Sequence, residues 1–385
     1  MKVAFIVNTY PPRLGGLEQH LGHLTQGLAE LGHEVVVLTI SDRPGIRRDG
    51  RVEVRTGRSR LPIADVISFP ALGSGRSIAR YLRRRHVDVV STHTRFFPMS
   101  YVGVQAAHAA GIPVVHTEHG SGFVANPSPL IAVGSRAVDL TMGRHVLHRA
   151  DRVLAVSEEA ARFAGRLGKR PVGLFHNAIT PAVHADVVDR PGHLVFVGRI
   201  VPGKGWETFL DVVAWLRGLG LDVDGQMLGD GADIERARQR VVALGLQEAV
   251  EVCGRVTPEE VRDSLAGATL VNPTVLSEGF QTTLLETLAE RGRVVTYQVP
   301  GAELLRGEGF PVVVTEAKTP DALERSLADY LGAPPKLADR SLIDQWTWSA
   351  RAREYAQILT DVVEGRRRRQ TTRAEEDSRQ RPPSG

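Results

Sequence analysis

The chain has 385 residues, of which 42% are hydrophobic and 24% charged, with a formal net charge of +4. That length exceeds one ordinary core, so two domains are expected, and the composition is that of a globular protein. A single cysteine, Cys253, excludes an intramolecular disulfide and fits a reducing compartment. No apolar run reaches the roughly eighteen residues of a membrane span, and the opening residues do not read as a signal peptide, so a cytoplasmic protein is expected.

In chain order, "KVAFIVN" is a continuous apolar strand of the buried parallel type, and the glycine loop "TYPPRLGG" follows it. Leu17, Leu21, Leu24, Leu28 and Leu31 then mark one face of an amphipathic helix. The pair Gly15-Gly16 lets the backbone approach a ligand closely and puts the Gly16 amide where a phosphate would bind. A ligand-free tight turn fits the same pair. "HEVVVLTI" is a second buried strand, and "VDVVST", "IPVVHT" and "DRVLAVS" are further candidates. Arg80 to Arg85 in "IARYLRRRHVD" form a basic helical cluster, either a solvated face or a peripheral contact with anionic lipid at the inner membrane face. Tyr81 is the one aromatic residue among these arginines, too few to alternate with them, which argues against nucleic acid as a partner. His119 stands at the carboxyl end of the strand in "VVHTEHGSG", the end at which open α/β sheets bind ligands, although lone histidines are commonly structural.

The pattern restarts with the strand "HLVFVG", the loop "RIVPGKG", and a helix face of Trp206, Phe209, Leu210, Val213 and Leu216. "DVDGQMLG", "EAVEVCG", "ATLVNP" and "RVVTY" continue the strands. This alternation predicts an α/β chain with parallel sheets, in two doubly wound, Rossmann-like domains facing across a ligand cleft. The expected boundaries are 1–178 for the N-terminal domain, 179–192 for a linker, 193–340 for the C-terminal domain and 341–364 for a helix. The basic stretch 365–385 lacks apolar periodicity and reads as a disordered tail.

In "FVGRIVPGKGWETFL", Arg199 and Lys204 lie on a strand-to-helix loop, where backbone amides and the helix dipole favour an anion. Two cations there suit a diphosphate, and two solvent-exposed charges are the plainer reading. The loop is neither a P-loop nor a G-x-G-x-x-G fingerprint, so neither a P-loop nucleotidase nor a standard dinucleotide dehydrogenase is indicated. "LDVDG" holds a D-x-D triplet at the entrance to a strand and reads as a turn, so no metal is predicted. Asp230-Gly231, at the other end of that strand, is better placed for a ligand, or is itself a simple turn. In "VLSEGFQTTLLETLAE", Glu278 precedes a helix and Glu286 lies about 12 Å along it. That spacing suits the two ends of an extended ligand, and equally an N-terminal acid plus a surface glutamate.

Taken together, "YPPRLGGLEQHLGHLTQGLAELGHEVVVLT", "HTEHG", "ADRVLAVSE", "HNAI", "FVGRIVPGKG", "LGDG" and "SEGFQTTLLE" resemble, in order and spacing, the retaining nucleotide-sugar glycosyltransferases of the GT-B fold. The branch is that of the mannosyltransferases, sucrose synthases and the glycosyltransferase of mycothiol synthesis, and the likeness runs from Met1 to about Val363. The resemblance implies that Glu278 holds hydroxyls of the transferred sugar and Glu286 the nucleotide ribose, with the amides of Gly279, Phe280 and Gln281 between them. Arg199 and Lys204 match the pair that neutralises the diphosphate in place of a metal. Gly16 matches the glycine near the distal phosphate, His119 the histidine beside the sugar ring, and Gly254, Arg255 and Val256 the backbone against the base. The implied reaction is metal-independent transfer, with retention and no cofactor, of a hexose-type sugar. The donor is a UDP-sugar, or next a GDP-sugar, and the acceptor a small molecule or lipid-linked. The C-terminal helix is implied to cross back onto the N-terminal domain. Gln281 replaces the family's usual glycine, and "ERGRVVTYQVPGAELL" keeps only Gly301 of a usual Gly-Gly pair, changes that bear on the sugar pocket. A nucleotide-sugar 2-epimerase and a non-catalytic nucleotide-sugar-binding protein are the alternative readings.

Overall fold

A computed structural model describes residues 1–379, apart from 14, 64–66, 124–128, 185 and 277–279; the side chains of 61–63, 67, 129–132, 370 and 373–379 also lie outside the description. The chain divides into two compact units, Met1–His176 with Trp348–Gly385, and Asn177–Thr347.

The first unit opens with β1 (Lys2–Ile6), α1 (Gly16–Glu30), β2 (Glu34–Ser41), β3 (Gly45–Asp49), β4 (Val52–Ile63), β5 (Ile67–Pro70) and α2 (Ser74–Arg84). It continues with β6 (Val89–His93), α3 (Pro98–Ala110), β7 (Val114–Glu118), α4 (Pro129–Val138), α5 (Arg144–Arg149), β8 (Arg152–Ala155), α6 (Glu158–Gly168) and β9 (Gly173–Leu174). The strands line up as β3-β4-β2-β1-β6-β7-β8-β9, with β5 also on β4. From β4 to β9 neighbours are parallel, while β3 and β5 run antiparallel to β4. Alternate residues serve opposite faces. Val3, Phe5, Val35 and Val37 pack on Leu21, Leu24 and Leu28 of α1, while Ala4, Ile6, Val36 and Leu38 pack with Leu82, Val104 and Leu147. Because both faces are covered, these strands read in sequence as unbroken apolar runs.

The second unit holds β10 (His193–Val197), α7 (Trp206–Gly218), β11 (Asp224–Leu228), α8 (Ile234–Ala243), β12 (Val250–Gly254), α9 (Pro258–Leu265) and β13 (Thr269–Asn272). After these come α10 (Thr282–Ala289), β14 (Arg293–Thr296), α11 (Ala302–Gly307), β15 (Val312–Val314), α12 (Pro320–Gly332) and α13 (Ser341–Asp344). Its described strands form a parallel sheet ordered β12-β11-β10-β13-β14-β15. Leu194 and Phe196 of β10 face Trp206, Phe209 and Leu323, and Val195 faces Leu284, Leu285 and Val294. The strand order reverses between β10 and β13, the switch point at which doubly wound sheets open a crevice.

The chain then returns to the first unit as α14 (Trp348–Arg379), whose Tyr355, Leu359 and Val363 join the core beneath α1. Two expected boundaries are corrected here. Residues 341–347 do not begin this helix: α13 belongs to the second unit, where Ile343 and Trp346 are buried. The helix also continues through 365–379, where the sequence reads as an unstructured tail. Distant carboxylates hold part of that basic stretch, with Arg366 3.4 Å from Asp151 and Arg367 3.6 Å from Asp88. Residues 380–385 lie outside the described residues. Among the described residues, no helix is long and apolar enough to cross a membrane.

Candidate active site

In the second unit the chain leaves β10 at Val197 and turns sharply before α7. Gly203 and Gly205 adopt φ of +83° and +88°, a region that costs glycine little. A Cβ at Gly205 would lie 2.3 Å from the Pro273 carbonyl oxygen. The Gly203 carbonyl accepts the Val275 amide at 2.9 Å and the Thr274 hydroxyl at 3.3 Å. Lys204, between the two glycines, is thereby held against the segment that follows β13. It lines a cleft of about 260 Å³ with Val197, Gly198, Asn272, Gln281 and Thr282, at the switch point of the sheet.

The opposite wall is the first turn of α10, and a helix start with its dipole favours an anion. Asn272 donates its side-chain amide to Gln281 Oε1 at 2.7 Å and to Thr296 Oγ1 at 3.0 Å, so the unusual Gln281 is tied to the cleft wall. Phe280 is buried, its ring stacked on Trp346 at 5.4 Å and 21°. A Cβ on Gly301, at φ +90°, would lie 2.5 Å from that ring, so any side chain there would clash. Further along α10, Glu286 is half-buried, and burial raises its carboxyl above the usual range against the opposing charge of Arg262. Its carboxylate accepts no hydrogen bond among the described residues.

The remaining expected site residues of this unit are dispersed. Arg199 is exposed on the loop ahead of Lys204 and is not part of the cleft wall. Gly254 ends β12, two strands from β10, and its carbonyl accepts the Gly229 amide at 2.8 Å. Arg255 is exposed and 3.9 Å from Asp230, while Val256 packs on the core. Glu278 and Gly279 lie outside the described residues.

In the first unit, Gly16 is the exposed first residue of α1, with open space where a side chain would stand. His119 follows β7, its Nε2 3.1 Å from His93 Nδ1 and its ring edge-to-face with His20 at 4.7 Å. His93 Nε2 is 3.0 Å from Ser91 Oγ. Burial lowers His119 to about 4, despite the nearby charge of Glu118, and pushes His93 well below its ordinary value. Both imidazoles are therefore neutral at neutral pH. His20, His93 and His119 each bring one ring nitrogen within 4.8 Å of the others, a set that could ligate a divalent cation and that the sequence reading did not consider.

Sequence reasoning also passed over Glu118. This buried carboxylate meets Arg95 at 2.9 Å and His116 at 3.5 Å, and accepts the amides of Arg95, His119 and Gly120 at 3.1, 3.0 and 2.8 Å. Burial alone would raise it, but His116, Arg95 and the Gly120 amide outweigh burial and hold it at about 2. Glu118 thus fixes the backbone that presents His119. Its one sequence signal is an acid at a strand's carboxyl end; its partners come from other elements.

A family model described as Glycosyltransferase Family 4 matches residues 14–183, and one described as Glycosyl transferases group 1 matches residues 191–332. The chain is 27% identical over 355 residues to the phosphatidylinositol N-acetylglucosaminyltransferase GPI3 subunit of Saccharomyces cerevisiae, spanning 87% of this chain and 74% of that one. It is 27% identical over 349 residues to a phosphatidylinositol N-acetylglucosaminyltransferase subunit of Arabidopsis thaliana, spanning 88% and 76%. Among solved structures, sucrose-phosphate synthase from Thermosynechococcus elongatus matches with a TM-score of 0.69 and 18% identity, over 94% of this chain and 99% of that one. HepE of Anabaena in complex with UDP matches with a TM-score of 0.65 and 16% identity, over 97% and 100%. At these identities the structural likeness speaks to the fold, two Rossmann-like domains.

Proposed function

Because the chain belongs to the GT-B glycosyltransferases, we propose that it transfers a hexose-type sugar, with retention and without a metal, from a nucleoside diphosphate sugar to a small-molecule or lipid-linked acceptor. The observation that carries this reading is Lys204, pinned between two left-handed glycines in a switch-point cleft that also takes in the first turn of α10. When the glycosidic bond breaks, charge develops on the leaving diphosphate. Donors fixed beforehand stabilise it without reorganisation, here the Lys204 ammonium and the α10 amides; Arg199, exposed on the adjoining loop, would have to turn towards the cleft to join them. Glu286, with no described partner, is suited to accept ribose hydroxyls, and Glu278 those of the sugar.

UDP is the favoured nucleotide, supported by the UDP bound to the Anabaena neighbour. The names of the Saccharomyces and Arabidopsis relatives support N-acetylglucosamine as a sugar to test and a lipid as acceptor. Arg80 and Arg84 of α2 are exposed and suit peripheral contact with anionic lipid, whereas Arg85 is engaged by Glu34 and Glu53, each at 3.2 Å. The test is thermal unfolding with UDP, GDP, ADP and dTDP, each with EDTA and with Mg²⁺. A ligand at a hundred times its Kd stabilises by about 2.7 kcal/mol, worth roughly 2–4 °C per kcal/mol in a domain of this size. The expected result is a shift with UDP that persists in EDTA. No shift with any nucleotide at millimolar concentration would overturn the donor site.

A further inference from the structure

Three imidazoles from separate elements turn ring nitrogens towards one another inside the first unit. His20 comes from α1, His93 ends β6 and His119 follows β7. One nitrogen of each lies within 4.8 Å of the other two, and His93 Nδ1 is 3.1 Å from His119 Nε2. A tetrahedral ion with bonds of about 2.0–2.1 Å to imidazole holds its nitrogens roughly 3.3–3.4 Å apart. The His93–His119 pair is already near that spacing, and only His20 has to draw in. The surroundings are apolar: Phe5 stacks on His93 at 5.7 Å, and Phe175 and Trp348 meet His20 edge-to-face at 6.1 and 5.1 Å. Aromatic packing alone has no use for nitrogens gathered on the inner side of a cluster, whereas polar ligands inside an apolar shell are the usual construction of a metal site. His93 also has an outer support. Its Nε2 is 3.0 Å from Ser91 Oγ, which is itself 2.7 Å from the Tyr355 hydroxyl. Such a partner on the far nitrogen fixes the ring and tautomer of metal-ligating histidines. Glu118, the buried carboxylate next to His119, adds a field that favours positive charge at that ring.

We propose that His20, His93 and His119 bind one Zn²⁺ ion through His93 Nδ1, His119 Nε2 and one nitrogen of His20, with water as the fourth ligand. In the bound state His93 donates Nε2–H to Ser91 Oγ. The proton between His93 and His119 moves to His119 Nδ1, so all three imidazoles stay neutral and no net proton is released. Imidazole suits zinc, and Mg²⁺, which takes oxygen ligands, is refused. The ion has no part in the metal-free transfer proposed above. It ties α1 to the ends of β6 and β7, and it enters past His119, the least buried of the three.

The full chain, stripped with EDTA and returned to chelator-free buffer, is titrated calorimetrically with ZnCl₂ and MgCl₂, and with Co²⁺ as a visible-absorbing substitute for zinc. One Zn²⁺ per chain, no heat with Mg²⁺, and the intense absorption of four-coordinate Co²⁺ are expected. His20→Ala and His119→Ala should each weaken Zn²⁺ by about a hundredfold or more, while His108→Ala, on α3 and outside the cluster, leaves it unchanged. Ser91→Ala keeps every ligand and loosens only His93, and should weaken Zn²⁺ about 10–100-fold. Its small change of volume guards against a histidine variant that fails to fold, and the urea midpoint of each variant is measured alongside. No zinc binding by the wild-type chain, unchanged affinity in folded His119→Ala and Ser91→Ala, or the weak spectrum of six-coordinate Co²⁺ overturns the site.

Discussion

The hydroxyl of Tyr355 on α14 lies 2.7 Å from Ser91 Oγ on β6, a hydrogen bond between fully buried residues 264 positions apart. Ser91 is in turn linked to His93, so the last helix reaches the histidine cluster through one serine. Tyr355→Phe removes the hydroxyl and keeps the ring. It should cost about 1 kcal/mol, while Tyr355→Ala should cost about 3–5 kcal/mol by opening a cavity. Urea unfolding checks both; an unchanged midpoint for Tyr355→Phe would show that the bond adds nothing to stability.

Lys204→Ala should leave stability within about 0.5 kcal/mol and lower turnover at saturating donor roughly 10²–10³-fold, as removal of one preorganised donor does. Gly205→Ala, forced to φ +88° against the Pro273 carbonyl, should lose about 2 kcal/mol or more and displace Lys204 with it. Near-full turnover by Lys204→Ala would remove the diphosphate from this cleft.

Glu286→Ala should raise KM for the donor about tenfold with kcat largely kept, the signature of lost uniform binding. Burial raises this carboxyl, so donor affinity should begin to fall at a higher pH than for an ordinary glutamate. A change in kcat at constant KM would reassign Glu286 to the chemistry.

Acid should destabilise the first unit in two steps. His119 is lowered from 6.5 to about 4, so below pH 6.5 the unfolded chain binds a proton that the folded chain refuses; stability falls with pH across that window. Its titration is felt by His20, His93, His116 and Glu118 around it. Glu118 is lowered from 4.5 to about 2, and its contribution, of order 3 kcal/mol, is present above 4.5 and lost as pH falls towards 2. Glu118→Gln should flatten the lower step while costing stability at neutral pH, because buried Arg95 loses a partner. Urea midpoints from pH 7.5 to 3 measure this, and a wild-type acid limb in Glu118→Gln would exclude the carboxylate as its source.

What the sequence disclosed follows from how local each feature is. "KVAFIVN" and "HLVFVG" announce buried parallel strands because helices cover both faces of each sheet, and the glycines around Lys204 announce a forced turn. The strands from 45 to 70 did not show themselves, since "GIRRD" is an exposed, arginine-rich antiparallel edge with no apolar pattern to read. The tail beyond 364 looked unstructured for a related reason: part of what holds that helix is Asp88 and Asp151, more than two hundred residues away. The grouping of His20, His93 and His119 likewise exists only once strands distant in sequence have become neighbours in the sheet.

The return of α14 to the first unit sets a timetable for synthesis. The second unit is contiguous, from Asn177 to Thr347, and has all its residues while the first still lacks Tyr355, Leu359 and Val363. Until those turns leave the ribosome, the apolar side chains beneath α1 wait without their cover, the kind of exposed surface on which nascent chains misassemble. Birth order and completion order are inverted, and the half that is translated first is finished last.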